Sequence, residues 1–337
     1  MLAYAVRRIL ALIAVLAATS ALVFFLSRLI PGDPARVAAG VDATPQMVQQ
    51  LRERLGLDRP LPMQYAYYVA RLITGDLGAS IASQRPVIDD LKQRLPATLE
   101  LTLTSLVLSA GLGIPLGVLS ATHRGRVAGL LGQLMPASLV SAPVFWVGMV
   151  LQFLLYGKLG LLPDSGRVGS ATTIHTVTGF LSIDALITGN WNGFVDILTH
   201  LILPAAVLTN VSLPTISRVT AASVAEVLAQ QFIATARAKG LSERFILTYH
   251  VLRNAAIPMV TVLGLRFGDL MAGAVLVETI FAWPGIGRYA VTAIDNLDYP
   301  AIMGFVLVAT ATYALVNLAV DLLYFWLDPT ISVPGSE

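Results

Sequence analysis

Uncharged apolar runs alternate along this chain with short stretches that hold most of its charges. A helix crossing a membrane needs about 20 predominantly apolar residues, so each run is tested against that length. The first, Ile9 to Ser27, lies between Arg7-Arg8 and Arg28. A basic start followed by an apolar core fits a signal peptide or an uncleaved first span. The span is preferred, because Leu29-Ile30-Pro31 continues the run with no clear small-x-small cleavage site. A second span is expected from about Leu101 to Thr122, ending at His123, Arg124 and Arg126. A third falls within the uncharged interval Val127 to Gly157, where Pro136 and Pro143 are positions for a kink. The fourth, about 199 to 217, contains Pro204 and Pro214 and ends at Arg218. The fifth, about 256 to 281, carries Arg266, Asp269 and Glu278. The sixth runs from about Ala301 to Phe325, with Asp321 near its end and Asp328-Pro329 closing it.

Between the fourth and fifth runs lies a polar island, Ser223 to Pro258. Ser223 and Glu226 have the spacing of a capping box, which predicts a helix start there. Val224, Leu228 and Phe232 recur every four residues and would give that helix one apolar stripe. Arg237 and Lys239 fall in its last turn, where cations suit the helix dipole, and Gly240 follows at the C′ place. Ser242 can cap a second short helix running towards Asn254, before Pro258 restarts an apolar segment. A basic amphipathic helix pair on one membrane face suits docking of a partner protein. The same pattern also fits a solvated loop with ordinary capping.

The remaining segments divide by polarity. Residues 31 to 97 mix PGDPA, a helical pattern around MVQQLRERLGL and the aromatic stretch YAYYVARLITGDLGAS. Residues 158 to 198 are interrupted by Gly, Asn and Asp and contain no good span; Trp191 suits a membrane boundary. WPGIGRYAVTAIDNLDYP, 283 to 300, reads as a turn with a short helix. The basic residues Arg7, Arg8, Arg124, Arg126 and Arg218 place the N-terminus in the cytoplasm by the positive-inside rule. Six spans then put both termini inside and 31–97 outside, as a small subdomain of short helices. The organisation expected is 1–30 as first span, 31–97 as extracytoplasmic subdomain and 98–337 as a five-helix core with a loop at 223–245.

Composition agrees with a polytopic membrane protein: 56% of residues are hydrophobic and only 12% charged. The net charge of +2 suggests no nucleic-acid footprint. With no cysteine, disulfides, thiolate chemistry and Cys-ligated metals are excluded. His123, His175, His200 and His250 are too scattered for metal-ligand spacing. No P-loop is present: Gly157-Lys158 is followed by Leu159. HExxH and GxSxG are also missing, so neither an enzyme nor a self-contained ATPase is supported. Arg266 and Asp269 are three apart and can pair on one helix face. Charges inside a span either face a water-filled path or form a structural ion pair that orients the helix.

The stretch ARAKG at 236–240, with Ile257-Pro258 after it, resembles the loop signature of binding-protein-dependent ABC importer permeases. LIPGDPA (29–35), LPATLELTL (95–103), LILPAAVLTN (201–210), ETIFAWPGIGR (278–288) and LVNLAVDLLYFWLDP (315–329) extend the resemblance over essentially the whole chain. It is closest to the first of the two permeases of the dipeptide/oligopeptide type. The generic loop motif begins Glu-Ala-Ala, whereas Ala234, Thr235 and Ala236 stand here with Gly240 in register. That departure, and the long interval from Gly240 to Pro258, resemble the peptide branch and argue against a sugar substrate.

The resemblance implies an all-α type I permease fold of six transmembrane helices in a bacterial inner membrane. It implies a second homologous permease, two ABC ATPase subunits that use ATP and Mg, and an extracytoplasmic solute-binding protein. The loop holding Glu226, Ala236, Arg237, Lys239 and Gly240 would couple the chain to one ATPase, and Arg266, Asp269 and Glu278 would line or brace the pathway. Di- or oligopeptides are the implied cargo; nickel, glutathione or another small solute through the same machinery, or ion-coupled secondary transport, are the alternatives.

Overall fold

The computed structural model describes residues 2–29, 34–39, 43–54, 56–123, 125–139 and 142–327. Expectations placed on Ile30 to Asp33, on Arg124 and on the Asp328-Pro329 end lie outside those residues. The described elements are helices: α1 Leu2–Leu29, α2 Pro34–Ala39, α3 Pro45–Arg54, α4 Leu61–Ile73, α5 Val87–Thr122, α6 Val127–Leu139 and α7 Val144–Gln152. They continue with α8 Leu181–Ile187, α9 Trp191–Leu228, α10 Gln231–Ala238, α11 Glu243–Phe245, α12 Leu252–Ile280, α13 Ile286–Asp295 and α14 Tyr299–Leu327. A π-helical turn, Phe153–Lys158, extends α7, and another, Ile246–Val251, joins α11 to α12.

Five helical runs among the described residues are long and apolar enough to cross a membrane: α1, α5, α9, the run Glu243–Ile280 and α14. This agrees with a polytopic all-α fold, and the start of each of these five runs lies further out than the sequence boundary. α5 begins at Val87, with Asp89 and Asp90 in its first turn where acidic groups suit the helix dipole, and α9 begins at Trp191, capped by the Asn190 side chain, which accepts from the Gly193 amide. The interval expected to hold the third span is two shorter apolar helices, α6 and α7. Pro143, at φ −59° and ψ 138°, starts α7 from an extended conformation; a proline ring disfavours helical geometry in the residue before it. Pro136, Pro204, Pro214 and Pro258 are by contrast accommodated within helices.

The chain forms two compact units. The first comprises Met1–Pro96 and Pro284–Ala314. Here Phe24 of α1 stacks on Tyr68 of α4 with ring centroids 5.5 Å apart, and Ser20 Oγ lies 3.0 Å from Tyr65 OH. Asp298, 1% exposed, accepts hydrogen bonds from Ser80 Oγ and from the Ala82 amide at 3.0 Å, and its Oδ1 accepts from the Ala301 amide at the start of α14. That carboxylate therefore ties the 80–82 turn to a helix N-terminus, where negative charge is favourable.

The second unit comprises Ala97–Trp283 and Leu315–Glu337. Its core forms where α9 packs along α12: Leu201 and Leu208 meet Leu270, Ala274 and Val277, with Leu101 of α5 and Trp283 completing the cluster. Trp283 is fully buried and its indole N–H donates to Ala97 O at 2.9 Å. α5 and α9 approach closely at Gly117, where an added Cβ would lie 2.6 Å from Thr220 Cβ. Such small-residue crossings let helix backbones pack where no hydrophobic effect drives them together.

Candidate functional site

The polar island folds differently at its start from the capping-box expectation. α9 runs without interruption through Ser223 to Leu228; Ser223 is buried inside it and Glu226 is exposed in its last turn. Between Pro214 and Gly240 no glycine or proline occurs, so nothing breaks the helix at 223. A capping pattern marks a start only where the preceding chain is not already helical. The break comes at Gln230, whose ψ of 147° is extended. This one residue re-phases the stripe: Val224 is buried, whereas Phe232 is 45% exposed.

α10 is anchored by Ile233 and Ala236 instead. Both are buried in a cluster with Val224, Ile246, Val251 and Met259. Its C-terminus matches the sequence reading. Leu241 N donates to Ala236 O at 3.3 Å and Gly240 N to Arg237 O at 2.9 Å, the paired bonds of a Schellman motif. Gly240 has φ +77°, a region that side chains with a Cβ enter only at a cost, and there is open space around it. Ser242 Oγ then accepts from Phe245 N at 3.3 Å, which caps the following helix. That helix does not stop near Asn254. It passes through the π turn and Pro258 into α12 and reaches Ile280.

Arg237 bridges the turn, with Nε 2.7 Å and Nη2 3.2 Å from the two Glu243 carboxylate oxygens. This fork fixes α10 relative to α11, although both partners are exposed and the pair contributes little stability by itself. Around it the loop presents exposed Phe232, Leu241, Phe245 and Tyr249 together with exposed Lys239, Arg244 and Arg253. Phe245 and Tyr249 stack with centroids 5.2 Å apart. Apolar and aromatic side chains held out from a buried anchor, within a basic rim, form a surface suited to a protein partner rather than to chemistry.

The intrahelical charges fall into two places. Arg266 Nη1 and Asp269 Oδ2 pair at 2.6 Å, and both side chains remain partly accessible. Arg266 also lines an open recess of about 490 Å³, with Thr215 and Val219 of α9 and Pro258, Thr261 and Leu265 of α12. Its Nε is buried in the structure with no hydrogen-bond partner. Glu278 is elsewhere, about 18 Å further along α12 at 1.5 Å per residue. It is fully buried and accepts a hydrogen bond from Thr98 Oγ1 of α5. The structure thus brings Arg266 and Asp269 together and separates Glu278 from them.

A buried polar network in the second unit was not singled out from the sequence. Glu100 of α5 pairs with Arg167, and accepts from the Ser182 amide at 2.8 Å and from Ser182 Oγ. Arg167 Nη2 also donates to Gly179 O at 2.8 Å. Asp184 is fully buried and accepts from the Thr178 amide and hydroxyl and the Gly179 amide. The signal available was Glu100, the one charged residue between Leu95 and Thr122.

Comparison with known proteins shows what carries this architecture. The family described as binding-protein-dependent transport system inner membrane component matches residues 113–333, and the corresponding N-terminal family matches residues 1–102. The chain is 47% identical to the probable D,D-dipeptide transport system permease protein DdpB of Escherichia coli (strain K12), over 97% of this chain and 96% of that protein. It is 41% identical to the dipeptide transport system permease protein DppB of the same strain, over 98% and 99%. Among solved structures, an inward-facing MetNI methionine ABC transporter chain aligns with a TM-score of 0.51 at 16% identity, covering 69% of this chain and 93% of that one. That last likeness concerns the fold.

Proposed function

The chain belongs to the family of binding-protein-dependent transport system inner membrane components, and from that premise we propose that it moves dipeptides as one of two paired permeases driven by separate ATPase subunits. It is a permease subunit of an ABC importer and a multi-pass membrane protein. The dipeptide cargo is supported by the names of the relatives, which are dipeptide permeases over nearly their full length. The N- and C-termini and the 223–245 loop lie on the cytoplasmic side, and 31–97 on the outer side as a subdomain facing the solute-binding protein.

The observation that carries the mechanism is α10. Its inner face is locked into the core by Ile233 and Ala236, and its outer face exposes Phe232 and a basic rim. This is the coupling element. It seats in a groove of one ATPase, and Ala236, Arg237, Lys239 and Gly240 hold its shape. Closure of two ATPases around ATP and Mg displaces it, and α9 and the Glu243–Ile280 run, attached at its two ends, carry that displacement into the membrane. The pathway opens alternately to each side. Arg266 and Asp269 present opposite charges beside the α9–α12 recess, which suits a zwitterionic peptide. Glu278 braces α5 against α12 through Thr98.

The test is a pull-down of the tagged chain from its native membrane, followed by ATPase measurement with the binding protein and dipeptide. Recovery of a second permease and P-loop subunits, with turnover stimulated by loaded binding protein, is expected. A chain that purifies alone and takes up solute on an ion gradient overturns the reading. Asp269→Ala is expected to change the kinetics of dipeptide uptake; unchanged kinetics remove Arg266 and Asp269 from the pathway.

A further inference from the structure

A cavity of about 360 Å³ opens in the first compact unit, at the end of α1. Four of the polar atoms on its lining residues are buried without any hydrogen-bond partner: Arg28 Nε, Gln64 Oε1, Tyr68 OH and Tyr299 OH. Tyr299 is only 5% exposed. Unpartnered buried polar groups are uncommon, because each forfeits its hydration, and four in one cavity point to something that binds there. Gln64 shows the same economy. Its amide nitrogen is committed to Leu57 O at 2.9 Å and Arg59 O at 2.8 Å, which leaves the carbonyl oxygen without a donor. Arg71 and Asp76, also in the wall, satisfy one another at 2.8 Å.

The chemistry that fits follows from this inventory. Arg28 Nε–H can only donate, and the two tyrosine hydroxyls can donate with it, so an oxyanion satisfies all three. Gln64 Oε1 can only accept, so the same molecule must carry an N–H or O–H group. Phe24, Tyr67 and Met303 add apolar wall. A zwitterion with an oxyanion, an ammonium and an apolar body fits, and it could come from a phospholipid or from a dipeptide.

The surroundings favour the lipid. Arg28 stands in the last turn of the first span and Tyr299 is the first residue of the last one. Between them α4 has no buried residue and exposes Leu61, Met63, Tyr67 and Ile73. Basic and aromatic residues at span ends, beside a helix with exposed apolar side chains, mark the headgroup level of a bilayer. We propose that this cavity is a binding site for a phospholipid headgroup bearing a primary ammonium, its phosphate held by Arg28, Tyr68 and Tyr299 and its ammonium by Gln64. The site does not depend on the transport reading.

Native mass spectrometry of the full-length chain, titrated with dioleoylphosphatidylethanolamine or dioleoylphosphatidylcholine, tests it. The quaternary amine of the second lipid cannot donate to Gln64, so the first should form adducts at several-fold lower concentration. Arg28→Gln should weaken that adduct about tenfold or more, the effect of losing a charge-assisted hydrogen bond. Tyr299→Phe removes one hydroxyl with little change of shape and should weaken it less. Arg36→Gln, which removes an exposed cation that does not line the cavity, should leave it unchanged. Equal binding of both lipids, or Tyr299→Phe and Arg28→Gln variants that bind like the parent, overturns the site. Displacement of the lipid by a free dipeptide overturns the lipid assignment and gives the cavity to the cargo.

Discussion

Arg167 Nε donates to Glu100 Oε2 at 2.9 Å, in an ion pair whose side chains are 9% and 3% exposed. The two residues are 67 positions apart, so the pair fastens the 159–180 segment to the first half of α5. Breaking a buried pair leaves one desolvated charge and costs about 3–5 kcal/mol, whereas replacing both members with apolar residues can be nearly neutral. Arg167→Met and Glu100→Leu are therefore each expected to lower the midpoint of thermal unfolding in detergent, and the double variant to recover much of the loss. Additive losses in the double variant would show that the two side chains act independently.

At Gly240 the conformation, not the space, resists substitution. The φ of +77° costs a residue with a Cβ about 1–2 kcal/mol, and least for Asn. Gly240→Val should therefore reach the membrane in normal amount and lose coupling of ATP hydrolysis to uptake, while Gly240→Asn stays much closer to the parent. Uptake by the Val variant equal to that of the parent would remove the turn from the mechanism.

The two faces of α10 should separate by measurement. Ile233 is fully buried, so Ile233→Ala removes core contacts worth roughly 2–4 kcal/mol and should speed amide exchange throughout Gln231–Ala238. Phe232 is 45% exposed, so Phe232→Ala should leave exchange unchanged and reduce retention of ATPase subunits in the pull-down. The opposite assignment of effects would invert the proposed docking face.

Acid should loosen the turn before α8. Burial alone raises the Asp184 carboxyl, but hydrogen bonds from the Thr178 hydroxyl and amide and the Gly179 amide outweigh it and hold the group below its ordinary value. A carboxyl depressed in the folded state stabilises the fold above its unfolded value, about 3.9, and loses that contribution as pH falls through the folded value. Protection of the Thr178 and Gly179 amides, corrected for intrinsic exchange, should thus be flat near neutrality and fall in acid. Asp184→Asn should abolish the acid dependence; a variant with the same dependence points to another group.

The fold was largely legible because length and hydropathy are one-dimensional properties: α1, α9 and α14 are visible as uncharged runs. The Gly240 turn was legible for a similar reason, since glycine, the preceding cations and the serine after it are local signals. Ser223 misled because a capping pattern does not reveal that the chain before it is already helical. Gln230, the residue that does break the helix, carries no signal in its side chain. Glu100 and Arg167 were missed because pairing at long range leaves no spacing to read. The Val127 to Gly157 interval was long enough for one span, and what divides it is the backbone restriction imposed by Pro143.

α9 is an unbroken helix of 38 residues that ends two residues before α10. At 1.5 Å per residue it is about 57 Å long, more than the thickness of a bilayer core. Such a rod acts as a lever arm. A tilt of about 5° around its middle moves each end by some 2–3 Å, and around one end moves the other by about 5 Å. If the helix turns as one body, a displacement of its Leu228 end is therefore matched at Trp191.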